Sequence, residues 1–209
     1  MPESSSILGF IAAAMIVLII PGPAVLYIIA RSLSQGRQAG LVSVLGLSAG
    51  ALVHVAAATV GLSAILLASA TAFNFVKWLG AAYLIYLGVR ALTTRRSDAQ
   101  VSISDQHSLK RLFTDGVVVS ILNPKIAVFF LAFLPQFVQP SAGSSSLQVL
   151  MLGLLYVTLA LFTDSAYALL ASRLRGWLGS RVIQGAAPQY ASGVAYLLLG
   201  VSTAFADRK

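Results

Sequence analysis

The 209-residue sequence contains no cysteine and few acidic residues, and both shortages limit its chemistry. Without cysteine there are no disulfides, no thiolate metal sites and no cysteine nucleophiles. Metal ligation or acid–base catalysis would depend on two histidines and six acids. No nucleophile and base stand at a spacing typical of an enzyme. We therefore expect no enzymatic activity, no catalytic residues, no metal site and no cofactor.

Charge is also scarce, since only 10% of the residues are charged, 58% are hydrophobic and the mean hydropathy is +0.88. A soluble domain is rarely so apolar. The net charge of +8 comes from basic residues scattered over short loops, so no nucleic-acid partner is expected. The composition predicts an all-α integral membrane protein whose surroundings are membrane lipid.

Long apolar runs predict six transmembrane helices when they are cut at charges and loop residues. The predicted spans are 7–30, 39–68, 74–92, 112–134, 147–171 and 191–206. Residues 1–6 include Glu3 and no basic residue, whereas a cleavable signal peptide has a positive first region. We therefore expect the first span to be retained.

The basic residues predict how these spans are oriented, because short cytoplasmic loops hold most of the lysine and arginine. Ten of the 14 basic residues lie in the first, third and fifth loops. They are Arg31, Arg37, Arg90, Arg95, Arg96, Lys110, Arg111, Arg173, Arg175 and Arg181. With these loops in the cytoplasm, six crossings place both termini outside.

The polar segment 93–111 predicts a division of the chain into two similar halves. This segment is predicted to be a cytoplasmic linker. It leaves three predicted spans in 1–92 and three in 112–209. Because each half crosses the membrane an odd number of times, the halves enter from opposite faces. A duplication of this kind would be an inverted repeat.

Two proline motifs interrupt the first and fourth predicted spans, Pro-Gly-Pro at 21–23 and Asn-Pro-Lys at 123–125. Proline lacks an amide donor and crowds the preceding turn, so each helix is expected to break and free backbone groups. Counted from opposite faces, the breaks lie at depths of about 21 and about 18 Å. A helix that restarts there points unpaired amides inward, which suits a carboxylate, and Asn123 is expected to cap the second restart. The alternative is a simple kink that neighbouring helices satisfy.

Two charged residues lie well inside predicted spans. Lys125 is roughly 14 Å from the nearer end of its span, which favours a cavity or a partner over snorkelling. Capping of free carbonyls at the break is the alternative. Asp164 is offset from Lys125 by roughly 9 Å, so a direct salt bridge would need tilted helices or a bridging water. Asp164 is a candidate for binding a substrate ammonium or a proton, and an interfacial polar role is equally open.

The second predicted span carries one histidine and closely spaced glycines. His54 is a possible proton relay, or a neutral hydrogen-bonding partner between helices. Gly46 and Gly50 have the spacing that lets helix backbones approach closely, as do Gly36 and Gly40 before them. We interpret these pairs first as packing seams and second as a route for substrate.

Taken in order, the motifs resemble the lysine exporter family of bacterial amino-acid efflux proteins, LysE/RhtB. The matching motifs are Pro-Gly-Pro at 21–23, Arg-Ser-Leu-Ser-Gln-Gly-Arg at 31–37, Gly46 and Gly50 with His54, Lys-Trp-Leu-Gly-Ala-Ala-Tyr-Leu at 77–84, and Asn-Pro-Lys at 123–125 with Phe-Leu-Pro-Gln-Phe at 133–137. The resemblance covers nearly the whole chain and is specific as an ensemble.

The resemblance implies a secondary active exporter of amino acids or their derivatives in the bacterial inner membrane. It also implies an ion-gradient drive, with protons expected, and a homo-oligomer. Alternating access about two broken helices is the mechanism we expect. The substrate-binding residues carried onto this chain are Pro21, Gly22, Pro23, Asn123, Pro124 and Lys125, with Asp164 as a further candidate.

Three other functions stay open at this point. A small metal-ion transporter would use intramembrane acids, histidine and unwound carbonyls, although Lys125 favours an anionic partner over a bare cation. A lipid-modifying membrane enzyme and a passive assembly subunit are the remaining alternatives.

Overall fold

The computed structural model describes residues 4–68 and 107–174, together with a few isolated positions. The predicted spans 74–92 and 191–206 and most of the predicted linker lie outside this part of the chain. The number of six spans, the inverted repeat and the division at 93–111 therefore stay predictions. In the two described ranges every regular element is a helix.

Six α-helices and three short helical turns of other types make up these ranges. They are α1 (Ser4–Ile19), α2 (Pro23–Gln35), α3 (Arg37–Ala68), α4 (Leu109–Ile121), α5 (Pro124–Val128), a π-helical turn (Phe129–Phe133), two 3₁₀ turns (Leu134–Phe137 and Pro140–Ala142) and α6 (Ser145–Arg173).

The membrane-spanning helices are of two kinds, continuous and bent. In α3 the segment Arg37–Gly61 is long and apolar enough to cross a membrane, and so is all of α6. Ser6–Ile19 and Pro23–Gln35 form a pair bent by 52°, and Leu109–Ile121 and Pro124–Phe137 form a pair bent by 45°. If each pair is one span, these four spans lie where the sequence predicts the first, second, fourth and fifth. Both predicted breaks are confirmed.

Proline chemistry explains where the two bent helices restart. Pro23 opens α2 and Pro124 opens α5, the helix position where a missing amide donor costs least. Gly22 precedes α2 in an extended conformation and offers no side-chain cap. Asn123 precedes α5, and its side-chain oxygen accepts a hydrogen bond from the amide of Lys125 at 3.0 Å. The predicted cap is confirmed.

The α3 helix lies at the centre of the described helices and packs on α4 through glycines. A methyl group on Gly46 would collide with the Phe113 carbonyl oxygen, and one on Gly50 would lie 2.6 Å from that of Val117. Gly46 and Gly50 therefore form the predicted packing seam. Gly36 has a different role, because it ends α2 with a positive φ of 87° that favours glycine.

Two apolar clusters form the core of the described helices. The larger cluster includes Phe10, Val17, Val55, Phe129, Phe130, Tyr156 and Ala160. The smaller cluster is Ile28, Val44, Leu47 and Ala168. On α6, Asp164 lies one helical turn from both Ala160 and Ala168, so it faces the space between the clusters. The fold thus brings a charged side chain to the boundary of two apolar layers.

Candidate functional site

A small cavity lies between the two apolar clusters, at the level of both helix breaks. Its volume is about 30 Å³, enough for about two water molecules. It is lined by Leu18, Gly22, Ala24, Val25, Leu47, Ser48, Ala51, Asn123, Lys125, Ile126, Tyr156, Ala160 and Asp164. The lining thus combines both broken helices with the continuous helices α3 and α6.

Lys125 connects the two breaks directly. Its side chain is only 7% exposed, and its Nζ donates a hydrogen bond of 2.6 Å to the carbonyl oxygen of Ile20. Ile20 immediately precedes Pro21 in the first break. Lys125 therefore both lines the cavity and caps a free carbonyl, and that carbonyl belongs to the other broken helix.

A second free carbonyl at the first break is also satisfied by a distant side chain. In a continuous helix the amide of residue 23 would bond to the Ile19 carbonyl, but Pro23 has no amide hydrogen. The Tyr167 hydroxyl donates to this oxygen at 2.5 Å instead. Sequence reasoning missed Tyr167, although its position three residues after Asp164 places both on one side of α6.

Asp164 brings a negative charge to the same cavity. The residue is buried at 8% exposure and lines the cavity with Lys125. Within the ranges that the structure describes, Asp164 makes no hydrogen bond and no direct ion pair with Lys125. The two groups still attract each other across the cavity. One ammonium donor and one carboxylate acceptor at a single cavity are complementary to a zwitterion.

The other predicted substrate-binding residues divide into two groups. Gly22 and Asn123 line the cavity with Lys125. Pro21, Pro23 and Pro124 are not among the described lining residues; Pro23 and Pro124 set the helix starts that position the lining. The structure thus brings the two predicted motifs to one place.

His54 lies in α3 but away from the cavity lining. Its Nε2 is 3.1 Å from the carbonyl oxygen of Ser120 in α4, an atom that only accepts, so Nε2 is the donor. Its ring stacks on Phe130 with centroids 6.1 Å apart. These contacts match the reading of His54 as a hydrogen-bonding partner between helices, and the proton relay stays a prediction. Among the described residues no three of His, Cys, Asp and Glu group together as metal ligands would.

Comparison with known proteins gives one family and several relatives. The family profile of the LysE type translocator matches residues 15–206. A homoserine/homoserine lactone efflux protein of Salmonella typhimurium is 32% identical over 158 residues, 76% of this chain and 76% of that protein. An uncharacterized membrane protein of Vibrio cholerae serotype O1 is 31% identical over 173 residues, 83% of this chain and 84% of its own. One of Bacillus subtilis is 29% identical over 207 residues, 95% and 98% of the two chains. No solved structure matches.

Proposed function

We propose that this chain, which belongs to the LysE type translocator family, is a secondary active exporter of amino acids or amino-acid derivatives across the bacterial inner membrane. The Salmonella relative named for homoserine and homoserine lactone efflux supports this substrate class. The observation that carries the proposal is that Lys125 and Asp164 line one cavity between two broken helices. Breaks of this kind form substrate sites in secondary transporters.

Recognition of a zwitterion follows from the charges and backbone groups at the cavity. The substrate carboxylate would meet the Lys125 ammonium and the amides at the start of α2, where Gly22 has no side chain to occupy them. The substrate ammonium would meet Asp164 or carbonyls freed by the first break. Both charges of an amino acid thus find an opposite partner inside the membrane.

Alternating access is the mechanism we propose for the transport step. A cavity of about 30 Å³ has room for about two waters, which is less than an amino acid needs. Binding therefore requires the lining helices to separate. The bends of 52° and 45° fall in the first and fourth predicted spans, as two inverted repeats would place them. We propose rocking of one half against the other, with Asp164 as a proton carrier for coupling to the proton gradient.

Efflux from reconstituted vesicles tests the proposal. Vesicles loaded with a panel of amino acids are assayed with and without a proton gradient, for the parent and for Lys125→Ala and Pro124→Ala. We expect Lys125→Ala to lose at least about tenfold in rate, because hydrogen bonds to charged groups contribute about 1.5–3 kcal/mol. Lys110→Ala, an exposed lysine of α4, is the matched control and should export normally.

Two results would contradict the proposal. One is parent-level export by both site variants when they are inserted normally. The other is the absence of efflux for every amino acid tested. Stabilisation of the purified protein by divalent cations but not by amino acids would then favour the metal-ion alternative.

A further inference from the structure

We infer that the Ile20 carbonyl oxygen and the Asp164 carboxylate form a subsite for the primary ammonium of the substrate, and that the Lys125 side chain occupies this subsite when no substrate is bound. We refer to these two groups as the ammonium subsite. The inference rests on the proposed export function and specifies how its site works. It assigns the Ile20 carbonyl at the first break to the substrate's ammonium and gives Lys125 two successive partners.

The first break creates the acceptor of this subsite. In an uninterrupted helix the amide of Ala24 would donate to the Ile20 carbonyl. Because the chain is broken at Pro21 and α2 begins only at Pro23, the carbonyl is reached by the Lys125 ammonium at 2.6 Å instead. The oxygen is therefore already placed at hydrogen-bonding distance from an ammonium nitrogen.

The neighbouring carbonyl holds this acceptor in place. Tyr167 donates its hydroxyl hydrogen to the Ile19 oxygen at 2.5 Å, which fixes the peptide group next to Ile20. Tyr167 and Asp164 both lie on α6, so one continuous helix carries the carboxylate of the subsite and orients its carbonyl. Tyr167 is thus a positioning residue.

The chemistry of the subsite is general for a primary ammonium. An ammonium group has three N–H donors and no acceptor, and the subsite offers only acceptors. The α-ammonium of an amino acid carries the same –NH₃⁺ group as the end of a lysine side chain. Lys125 is therefore a tethered stand-in for the ligand that the subsite fits.

Exchange of one ammonium for another keeps the buried charges balanced. Lys125 and Asp164 form one positive and one negative charge at the cavity. A zwitterion adds one of each sign. When its ammonium takes the place of Lys125 at Ile20, the released Lys125 can meet the substrate carboxylate. An unpaired charge inside the membrane would be costly, and this exchange leaves none.

The test uses methylammonium as the smallest probe with a primary ammonium group. Purified full-length parent, Lys125→Met and Lys110→Met proteins are heated in detergent with methylammonium or tetramethylammonium chloride at equal ionic strength. In Lys125→Met the subsite is vacant, so methylammonium at about ten times its Kd should raise the Tm by about 3 °C or more. Tetramethylammonium has no N–H group and should not raise the Tm.

The parent and the control separate this subsite from a general salt effect. In the parent and in Lys110→Met the tethered Lys125 already occupies the subsite through its bond to Ile20, so methylammonium should raise the Tm less than in Lys125→Met. If the Lys125→Met protein does not fold, Lys125→Leu is measured in the same way, because its side chain also has no N–H donor and leaves the subsite vacant. An equal shift in all proteins, or none in the Lys125 variant, overturns the inference.

Failure of this inference and failure of the export proposal give different results. Efflux in vesicles without a selective methylammonium shift means that the export proposal stands and the ammonium subsite is wrong. A selective shift without efflux of any amino acid means that the ammonium subsite stands and the export proposal is wrong.

Discussion

Lys125 shows how one residue can serve two parts of the molecule at once. Its ammonium is buried and bonded to the Ile20 carbonyl at 2.6 Å, and it faces Asp164 on the same cavity. A lysine with only a structural role needs a partner, and one with only a binding role needs access to the cavity. Lys125 has both, so its substitution will change stability and transport together.

Tyr167→Phe removes the hydroxyl that satisfies the Ile19 carbonyl. We expect a loss of about 1–3 kcal/mol in the free energy of unfolding, because inside the membrane no water can replace the donor that the Ile19 carbonyl loses. Thermal unfolding in detergent measures it. Thr158→Val is the control, because that exposed hydroxyl bonds to a carbonyl of its own helix. Equal stability of the Tyr167→Phe protein and the parent would contradict the contact.

Asp164→Asn keeps the shape of the side chain but removes the negative charge that faces Lys125. We expect efflux to fall at least about tenfold, because loss of one member of a buried charge pair leaves the other without compensation. Asp115→Asn is the control, since this acid is 37% exposed and lies beside His107. Efflux from reconstituted vesicles measures both, and a normal rate for Asp164→Asn would remove Asp164 from the proposed site.

The bent helices and the continuous helices contribute differently to the site. The two bent helices supply the cavity with free backbone groups, whereas α3 and α6 are continuous and supply packing surfaces. The contact of α3 with α4 depends on glycines so close to backbone oxygens that no side chain fits between them. This contact holds the second bent helix against the centre of the structure.

Gly46→Ala would push a methyl group into the Phe113 carbonyl and separate α3 from α4. We expect a loss of about 1–3 kcal/mol, the usual cost of overpacking, seen as a lower Tm in detergent. Gly61→Ala on the same helix is the matched control, because nothing described lies within 4 Å of its added methyl group. It should be neutral or slightly stabilising through helix propensity. Equal Tm values for the two variants would argue against the seam.

At the scale of the whole molecule, the chain is a multi-pass membrane protein of a translocator family. Its cavity lies where two bent helices and two continuous helices meet, between two apolar clusters. Both clusters include residues of α3 and α6, so these two continuous helices connect the clusters on either side of the cavity. Each cluster also combines residues of 1–92 with residues of 112–209, so the rocking motion that we propose would rearrange contacts within both clusters.

The orientation of the whole chain is tested by a reporter fused after Lys209. We expect it to lie outside the cytoplasm, because ten of the 14 basic residues fall in loops that six crossings place inside. Paired fusions of alkaline phosphatase and green fluorescent protein measure this. A cytoplasmic reading would indicate five crossings or the reverse orientation.

Local chemistry made part of this structure predictable from the sequence. Proline removes an amide donor wherever it stands, so both breaks could be placed to the residue. Asn123 could also be predicted as a cap, because its side chain accepts a hydrogen bond from an amide only two residues along the chain, that of Lys125.

Contacts between distant residues were not predictable in this way. The bonds from Lys125 to Ile20 and from Tyr167 to Ile19 join residues 105 and 148 positions apart. If the helices are taken as straight, Lys125 and Asp164 lie at different depths in the membrane. The span that contains Lys125 is bent by 45°, so residue counting does not give its depth. Which side chains share a cavity depends on packing angles that no local pattern encodes.

At the first break, Lys125 and Tyr167 each donate a hydrogen bond to a main-chain oxygen and not to a side chain. Every amino acid placed at position 19 or 20 brings the same carbonyl. Substitutions there should be accepted as long as they remain compatible with lipid, whereas positions 125 and 167 each depend on one particular chemical group. In a saturation library selected for export, the two isoleucines should vary freely and their partners should not.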